Sequence, residues 1–135
     1  MIDLSQLKLL IIDDDPNQQS VMLKSLTQLG FKNITQETQA ENAISQYFTV
    51  TQEEPPFDLI LCDQVMPVLS GIDVLKIVRL HYSKEALPFI MITSDGSRKN
   101  VVLMVSNKGN DFIIKPHKDD LLFEKIHKIF HSEES

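Results

Sequence analysis

Four times along this chain a run of adjacent apolar residues stops abruptly on a polar one. Leu9-Leu10-Ile11-Ile12 ends at Asp13, Leu59-Ile60-Leu61-Cys62 at Asp63, Phe89-Ile90-Met91-Ile92 at Thr93, and Phe112-Ile113-Ile114 at Lys115. A strand with one wet face alternates apolar and polar residues. An unbroken apolar run needs cover on both faces, which is what a parallel sheet packed between helices provides. The stretches between the runs carry helical spacing. Asp15 and Pro16 read as the N-cap and first residue of a helix, and Met22, Leu26 and Leu29 follow at i, i+4 and i+7 before Gly30 in the C-cap place. Ala40 to Phe48, Ile72 to Leu80, Arg98 to Lys108 and Asp119 to His131 are the other predicted helices, and Phe31 to Gln36 a weaker strand. Gln52-Glu53-Glu54-Pro55-Pro56 reads as loop, because adjacent prolines continue neither element. Strands and helices in alternation predict an α/β fold: one doubly wound, five-stranded parallel sheet with five helices and right-handed crossovers.

Length and composition narrow the class. The chain has 135 residues, a prior for a single domain with its own core. It carries 13 basic against 19 acidic side chains, a net charge of −6, which argues against gripping nucleic acid. No apolar run approaches the roughly 20 residues that span a bilayer, and no basic segment with an apolar stretch opens the chain. A single cysteine, Cys62, excludes an internal disulfide framework and fits a reducing compartment. The expectation is a cytoplasmic, one-domain protein that binds neither membrane nor nucleic acid.

In a sheet of this kind ligands bind outside the carboxyl ends of the strands. Those ends carry Asp13, Asp14, Asp63, Thr93 and Lys115. Three carboxylates brought close together repel, so they require raised pKa values or a cation. Mg²⁺ suits them, since it takes a few carboxylates and leaves room for water and phosphate oxygens. Carboxylates with Mg²⁺ point to phosphoryl chemistry, in which an Asp oxygen can act as nucleophile toward phosphorus. Lys115 then neutralises one phosphoryl oxygen and the Thr93 hydroxyl donates to another. Asp15 reads as a helix cap rather than part of this set.

The ordered set Asp13-Asp14, Asp63-Gln64-Val65-Met66-Pro67 with Gly71, Thr93-Ser94 and Lys115-Pro116 resembles the receiver domain of two-component response regulators, over about residues 7–131. The resemblance implies the flavodoxin-like receiver topology, in a single receiver domain spanning 1–135 with no output domain. It implies that Asp63 accepts a phosphoryl group from a phosphohistidine on a sensor histidine kinase or histidine phosphotransfer protein. Asp13, Asp14, Asp63 and the backbone carbonyl of Val65 would hold Mg²⁺, with Asp14 a direct ligand and Asp13 acting through water. Thr93 and Phe112 would switch when the site is occupied, Lys115 would pair with the phosphoryl group, and the Lys115–Pro116 peptide would be cis. The only reactions implied are the chain's own phosphorylation and dephosphorylation. Output would pass through a protein-binding surface on the last helices and strand, to a downstream protein, a missing output domain or a second copy of the chain.

Some positions depart from that pattern. Phe112 lacks the hydroxyl of a tyrosine, His117 follows Lys115-Pro116 where an apolar aromatic is usual, and Lys108-Gly109-Asn110 replaces the usual small residues. The interval from Asp14 to Asp63 is a little long, with the excess placed at Pro55-Pro56. Val65 cannot hydrogen-bond an attacking water whereas Asp95 can, so intermediate self-dephosphorylation is expected. Val101-Val102-Leu103-Met104-Val105 is too apolar for a helix covered on one face, so part of it should be exposed as a contact surface. His127 and His131 read as a solvated face, Cys62 as core, and His81 and His117 have no recognisable partners. Two other functions fit parts of the pattern. A haloacid-dehalogenase-type phosphatase would use Asp13-x-Asp15, Thr93 or Ser94 and Lys115, but Asp119-Asp120 opens a helix and Asp63 is left unused. A flavin mononucleotide binder is disfavoured by three aspartates facing its phosphate.

Overall fold

The computed structural model describes residues 3–131. After a short 3-10 turn at Leu4–Gln6 the elements are β1 (Lys8–Ile12), α1 (Pro16–Gln28), β2 (Asn33–Glu37), α2 (Ala40–Tyr47), β3 (Leu59–Cys62), α3 (Gly71–His81), β4 (Phe89–Thr93), α4 (Arg98–Ser106), β5 (Asp111–Ile114) and α5 (Asp119–His131). All strand pairings are parallel, in the order β2-β1-β3-β4-β5. The apolar runs are the strands. Within each, successive side chains go to opposite faces, and the two cores divide accordingly. Leu10, Ile12, Ile60, Cys62, Phe89 and Met91 pack with α2, α3 and Met104 of α4. Leu9, Ile11, Leu59, Leu61, Ile90 and Ile92 pack with Met22 and Leu26 of α1 and Leu122 and Ile126 of α5. β3 and β4 are buried at every position, while β2, at one edge, has none fully buried.

Helix ends follow local chemistry. The Asp15 carboxylate accepts the Asn17 amide with Pro16 at the first position of α1, and Gly30 takes φ 100 just past its end. α3 begins with a reciprocal capping box between Ser70 and Asp73. α4 stops at Ser106, short of the predicted Lys108, because Lys108 adopts φ 66 and the chain turns sharply at Gly109. A Cβ on Gly109 would lie 2.3 Å from Met104 Sδ, which is why this turn carries glycine between larger neighbours. Those neighbours also have work to do. Asn110 Oδ1 accepts the Phe89 amide at 2.9 Å and Arg79 Nη2 at 3.1 Å, while its Nδ2 donates to Lys84 O.

Arg79 spreads its fork over the carbonyls of Lys108, Tyr82, Ser83 and Leu87 at 2.8–3.3 Å, joining the end of α3 to two loops. Burial lowers its pKa to about 10, so it remains charged at neutral pH. A lysine has no planar fork with which to reproduce these bonds. Arg79→Lys is therefore expected to lose about 2 kcal/mol in urea unfolding, nearly as much as Arg79→Ala; a Lys variant as stable as wild type would contradict the assignment.

Candidate functional site

The strand order reverses its direction of growth between β1 and β3, so the crevice at that switch point opens at the carboxyl ends of both strands. The ladders run one residue past each strand. Asp13 N donates to Glu37 O at 3.1 Å, and Asp63 N to Ile12 O at 2.9 Å. These bonds set Asp13 and Asp63 side by side at the mouth. Asp14 follows Asp13 into the solvent-exposed turn. Carboxylate oxygens of Asp13, Asp14 and Asp63 all lie within 4.8 Å of one another.

Each of the two buried carboxylates is held on one oxygen by backbone and faces Lys115 with the other. Asp13 Oδ1 accepts the Asp15 amide at 3.0 Å, and Asp63 Oδ1 accepts the Gln64 amide at 2.8 Å. Lys115 Nζ reaches Asp13 Oδ2 at 2.7 Å and Asp63 Oδ2 at 3.5 Å. Burial by itself works against the Lys115 charge, but the Asp13 hydrogen bond and the two carboxylate charges outweigh it, and the ammonium is held above its ordinary range. Burial is also the largest influence on Asp63 and pushes its carboxyl up; Asp13 adds repulsion, and Lys115 with the Gln64 amide offsets only part of this. The donor set is thus three hard oxygens with one cation too few, the charge balance that a divalent ion completes. These residues fit Mg²⁺.

Of the remaining predicted residues, Thr93 ends β4 beside the strand edge that carries Lys115, while Phe112 lies apart from the carboxylates on the α4 side. Thr93 is buried at the end of β4; its carbonyl accepts the Lys115 amide at 2.9 Å, and its hydroxyl accepts the Asp95 amide at 3.1 Å, toward the β4–α4 loop. Phe112 is half-buried against the α2–α4 core, with Lys125 Nζ 5.3 Å from its ring centroid. The Val65 side chain is exposed. The Lys115–Pro116 peptide is cis. Cys62 is fully buried, its thiol pushed up by burial first and the Asp63 charge next, and Sγ donates to Asp63 O at 3.3 Å. Val102 and Val105 of α4 are exposed as expected, while Met104 is buried.

His81 and His117, which carry no recognisable partner set in the sequence, each meet one hydroxyl in the fold: His81 Nδ1 lies 2.8 Å from Thr51 Oγ1, and His117 Nε2 lies 2.8 Å from Ser25 Oγ. Those partners are remote in sequence and carry no motif. Two glutamines were also unmarked. Buried Gln19 donates to the carbonyls of Ile11, Asp13 and Glu37, clamping α1 to the ends of β1 and β2. Gln64 Oε1 accepts the Ile72 amide at 2.9 Å and its carbonyl accepts the Gly71 amide at 2.9 Å. That contact explains Gly71, where a Cβ would lie 2.4 Å from Asp63 O.

Because folding raises the pKa of Asp63, the folded chain holds this proton more tightly than the unfolded one, and stability falls as pH rises through the folded value. Asp63→Asn keeps the acceptor for the Gln64 amide. Without divalent cations it is expected to stabilise the fold by about 0.5–2 kcal/mol at pH 7. The gain should shrink at acid pH, where wild-type Asp63 is protonated. Urea unfolding of both proteins at pH 7 and pH 3.5 checks this, and a gain that ignores pH would refute it.

Comparison with known proteins agrees with this geometry. The pattern of the response regulator receiver domain matches residues 9–127. The chemotaxis protein CheY of Pseudomonas aeruginosa is 30% identical over 124 residues, covering 92% of this chain and 96% of that protein. The structure of a probable two-component system response regulator/GGDEF domain protein superposes with a TM-score of 0.83 at 22% identity over 98% of this chain, which spans 52% of that longer chain. The receiver domain of a Pseudomonas aeruginosa sensor histidine kinase, solved with a magnesium ion coordinated in its active-site cleft, superposes with a TM-score of 0.75 at 24% identity over 90% of this chain and 95% of its own. The chain belongs to the response regulator receiver domain family and is a CheY-like signalling receiver of two-component systems.

Proposed function

We propose that Asp63 is the phosphoryl acceptor of this receiver, and that residues 7–131 act as one switching unit. The observation that carries the proposal is the meeting of Asp13, Asp14 and Asp63 beside Lys115 at the switch point of the sheet. In the transfer, an Asp63 carboxylate oxygen bonds to phosphorus as the bond to the donor breaks. From a phosphohistidine of a sensor kinase or phosphotransfer protein, the leaving group is the imidazole nitrogen. Asp13, Asp14 and Asp63, joined by the Val65 carbonyl, would hold Mg²⁺, which when bound would neutralise charge on the carboxylates and the phosphoryl oxygens. The chain's own residues do the rest. The Gln64 amide fixes one Asp63 oxygen and leaves the other to react. Lys115, already a firmly protonated ammonium, faces the incoming charge. Thr93 exchanges the Asp95 amide for a phosphoryl oxygen, to which its hydroxyl donates.

That exchange is the proposed switch. Thr93 and Phe112 both border the α4 side of β4 and β5, where Met91, Asn100 and Met104 form the adjoining wall. Movement of the Thr93 hydroxyl toward the site frees space into which the Phe112 ring moves, and the surface of α4, β5 and α5 changes. Phe112 has no hydroxyl, so packing alone carries the change. Swinging a two-state receiver from 1:99 to 99:1 requires about 5.5 kcal/mol of differential interaction. The output is contact with a downstream protein, an output domain or a second copy through that surface, in the cytoplasm; among the described residues no helix is long and apolar enough to cross a membrane.

Intact mass after incubation with acetyl phosphate and Mg²⁺ tests the acceptor. Wild type should gain one phosphoryl group, Asp63→Asn none, and wild type stripped of Mg²⁺ none. The same result is expected with a phosphorylated histidine kinase as donor. Modification of Asp63→Asn to the same extent, or efficient turnover of a generic phosphomonoester by both proteins, would overturn the proposal.

A further inference from the structure

Beside the acidic crevice, a buried polar contact joins the β5–α5 loop to α1. His117 follows Lys115 by two residues, and its side chain is only 5% exposed. Its Nε2 lies 2.8 Å from the hydroxyl of Ser25, which is itself buried on α1, and 3.7 Å from Asp119 Oδ1 in the first turn of α5. His117 also lines the small cleft that Asp13, Asp63 and Lys115 share with Met22 of α1. The loop that carries Lys115 is therefore pinned at two points: the Lys115 amide to Thr93 O at 2.9 Å, and the His117 ring to α1. α1 is the helix capped by Asp15, immediately after the two site aspartates. The Ser25 bond thus joins the segment bearing the ammonium to the element that follows the carboxylates.

A lysine stem has many rotamers, so the place of its ammonium depends on how firmly its backbone is held. Small displacements of a charge-stabilising group cost a reaction far more than they cost the fold. Resting on the assignment of Asp63 as acceptor, we infer that His117 is a positioning residue for phosphoryl transfer. Its hydrogen bond to Ser25 fixes the β5–α5 loop so that Lys115 Nζ stays between Asp13 and Asp63. The bond survives either tautomer, because a hydroxyl donates and accepts equally well. A glutamine offers both roles too; a phenylalanine fills the space and offers neither.

The test is the rate of phosphorylation by acetyl phosphate with saturating Mg²⁺, read by intact mass at a temperature where circular dichroism shows each variant folded. His117→Phe and Ser25→Ala should each lower the maximal rate about five- to tenfold, leaving Mg²⁺ affinity and the half-saturating acetyl phosphate concentration unchanged. His117→Gln should restore the rate to within about twofold of wild type, and the His117→Phe/Ser25→Ala double variant should be no slower than the slower single one. A fold-only role would move the melting temperature without this pattern of rescue and non-additivity. Wild-type rates in both Ser25→Ala and His117→Phe, or losses that multiply in the double variant, would overturn the inference while the acceptor assignment stands. Should wild type take up no phosphoryl group from acetyl phosphate or a phosphorylated kinase, the acceptor assignment itself falls and the inference with it.

Discussion

Two buried carboxylates share a single ammonium, with a third, exposed carboxylate beside them, and the rest of the molecule is arranged around that imbalance. Lys115 sits 2.7 Å from Asp13 and 3.5 Å from Asp63, yet Asp63 remains harder to ionise than a free carboxyl, first because it is buried and then because Asp13 repels it. In water such a cluster would spread apart. Here it is held because Asp13 and Asp63 are extensions of adjacent parallel strands, locked by ladder bonds to Glu37 and Ile12. The sheet can supply that rigidity because its central strands, β1 from Leu9 onward with β3 and β4, are buried on both faces. The fold thus keeps carboxylates buried and close together where water alone would not, a common relation between a functional site and the framework that carries it.

The framework also decides which groups are left free. Backbone amides occupy one oxygen of each buried carboxylate, and the Asp15 side chain is spent on the first turn of α1. What faces the crevice is then a small set: the second oxygens of Asp13 and Asp63, the exposed Asp14, and the Lys115 ammonium. Gln19 and Gln64 support this set without entering it. Each hydrogen-bonds backbone groups where a strand ends and a helix begins, Gln19 adding to the bond that Glu37 O already accepts from the Asp13 amide. At the opposite end of the sheet Arg79 and Asn110 do the same for the α3–β4 and α4–β5 loops. The two ends of one sheet are therefore closed differently, one by a stable cationic fork among carbonyls and the other by charges that do not balance.

Much of this was legible from the residues in order. The four apolar runs located strands; in β1, β3 and β4 burial on both faces leaves no room for alternation, whereas in β5 only Ile113 is buried and Ile114 is exposed. Asp15-Pro16 marked the start of α1, since its cap chemistry is local. Asp13, Asp14, Asp63, Thr93 and Lys115 were legible because each lies one or two residues past such a run. The end of α4 was misplaced by two residues, as its limit is set by the Met104–Gly109 approach rather than by side-chain periodicity. The partners of His117 and His81 were illegible for a similar reason: Ser25 and Thr51 are ordinary polar residues that acquire meaning only when distant segments meet.

By itself, then, the sequence determined the alternation of elements, the burial of the strands and the polar residue on which each strand ends, because hydrophobic periodicity and helix caps act over a few residues. It also determined that three carboxylates and one amine would gather along one edge of the sheet. Only the tertiary structure decided the distances that give this edge its chemistry: which carboxylate takes the ammonium at 2.7 Å, which side chains close the backbone, and which helix holds the lysine's loop. Those depend on strand order and on the packing of α1 against α5, contacts between residues far apart in the chain, and no local pattern encodes them.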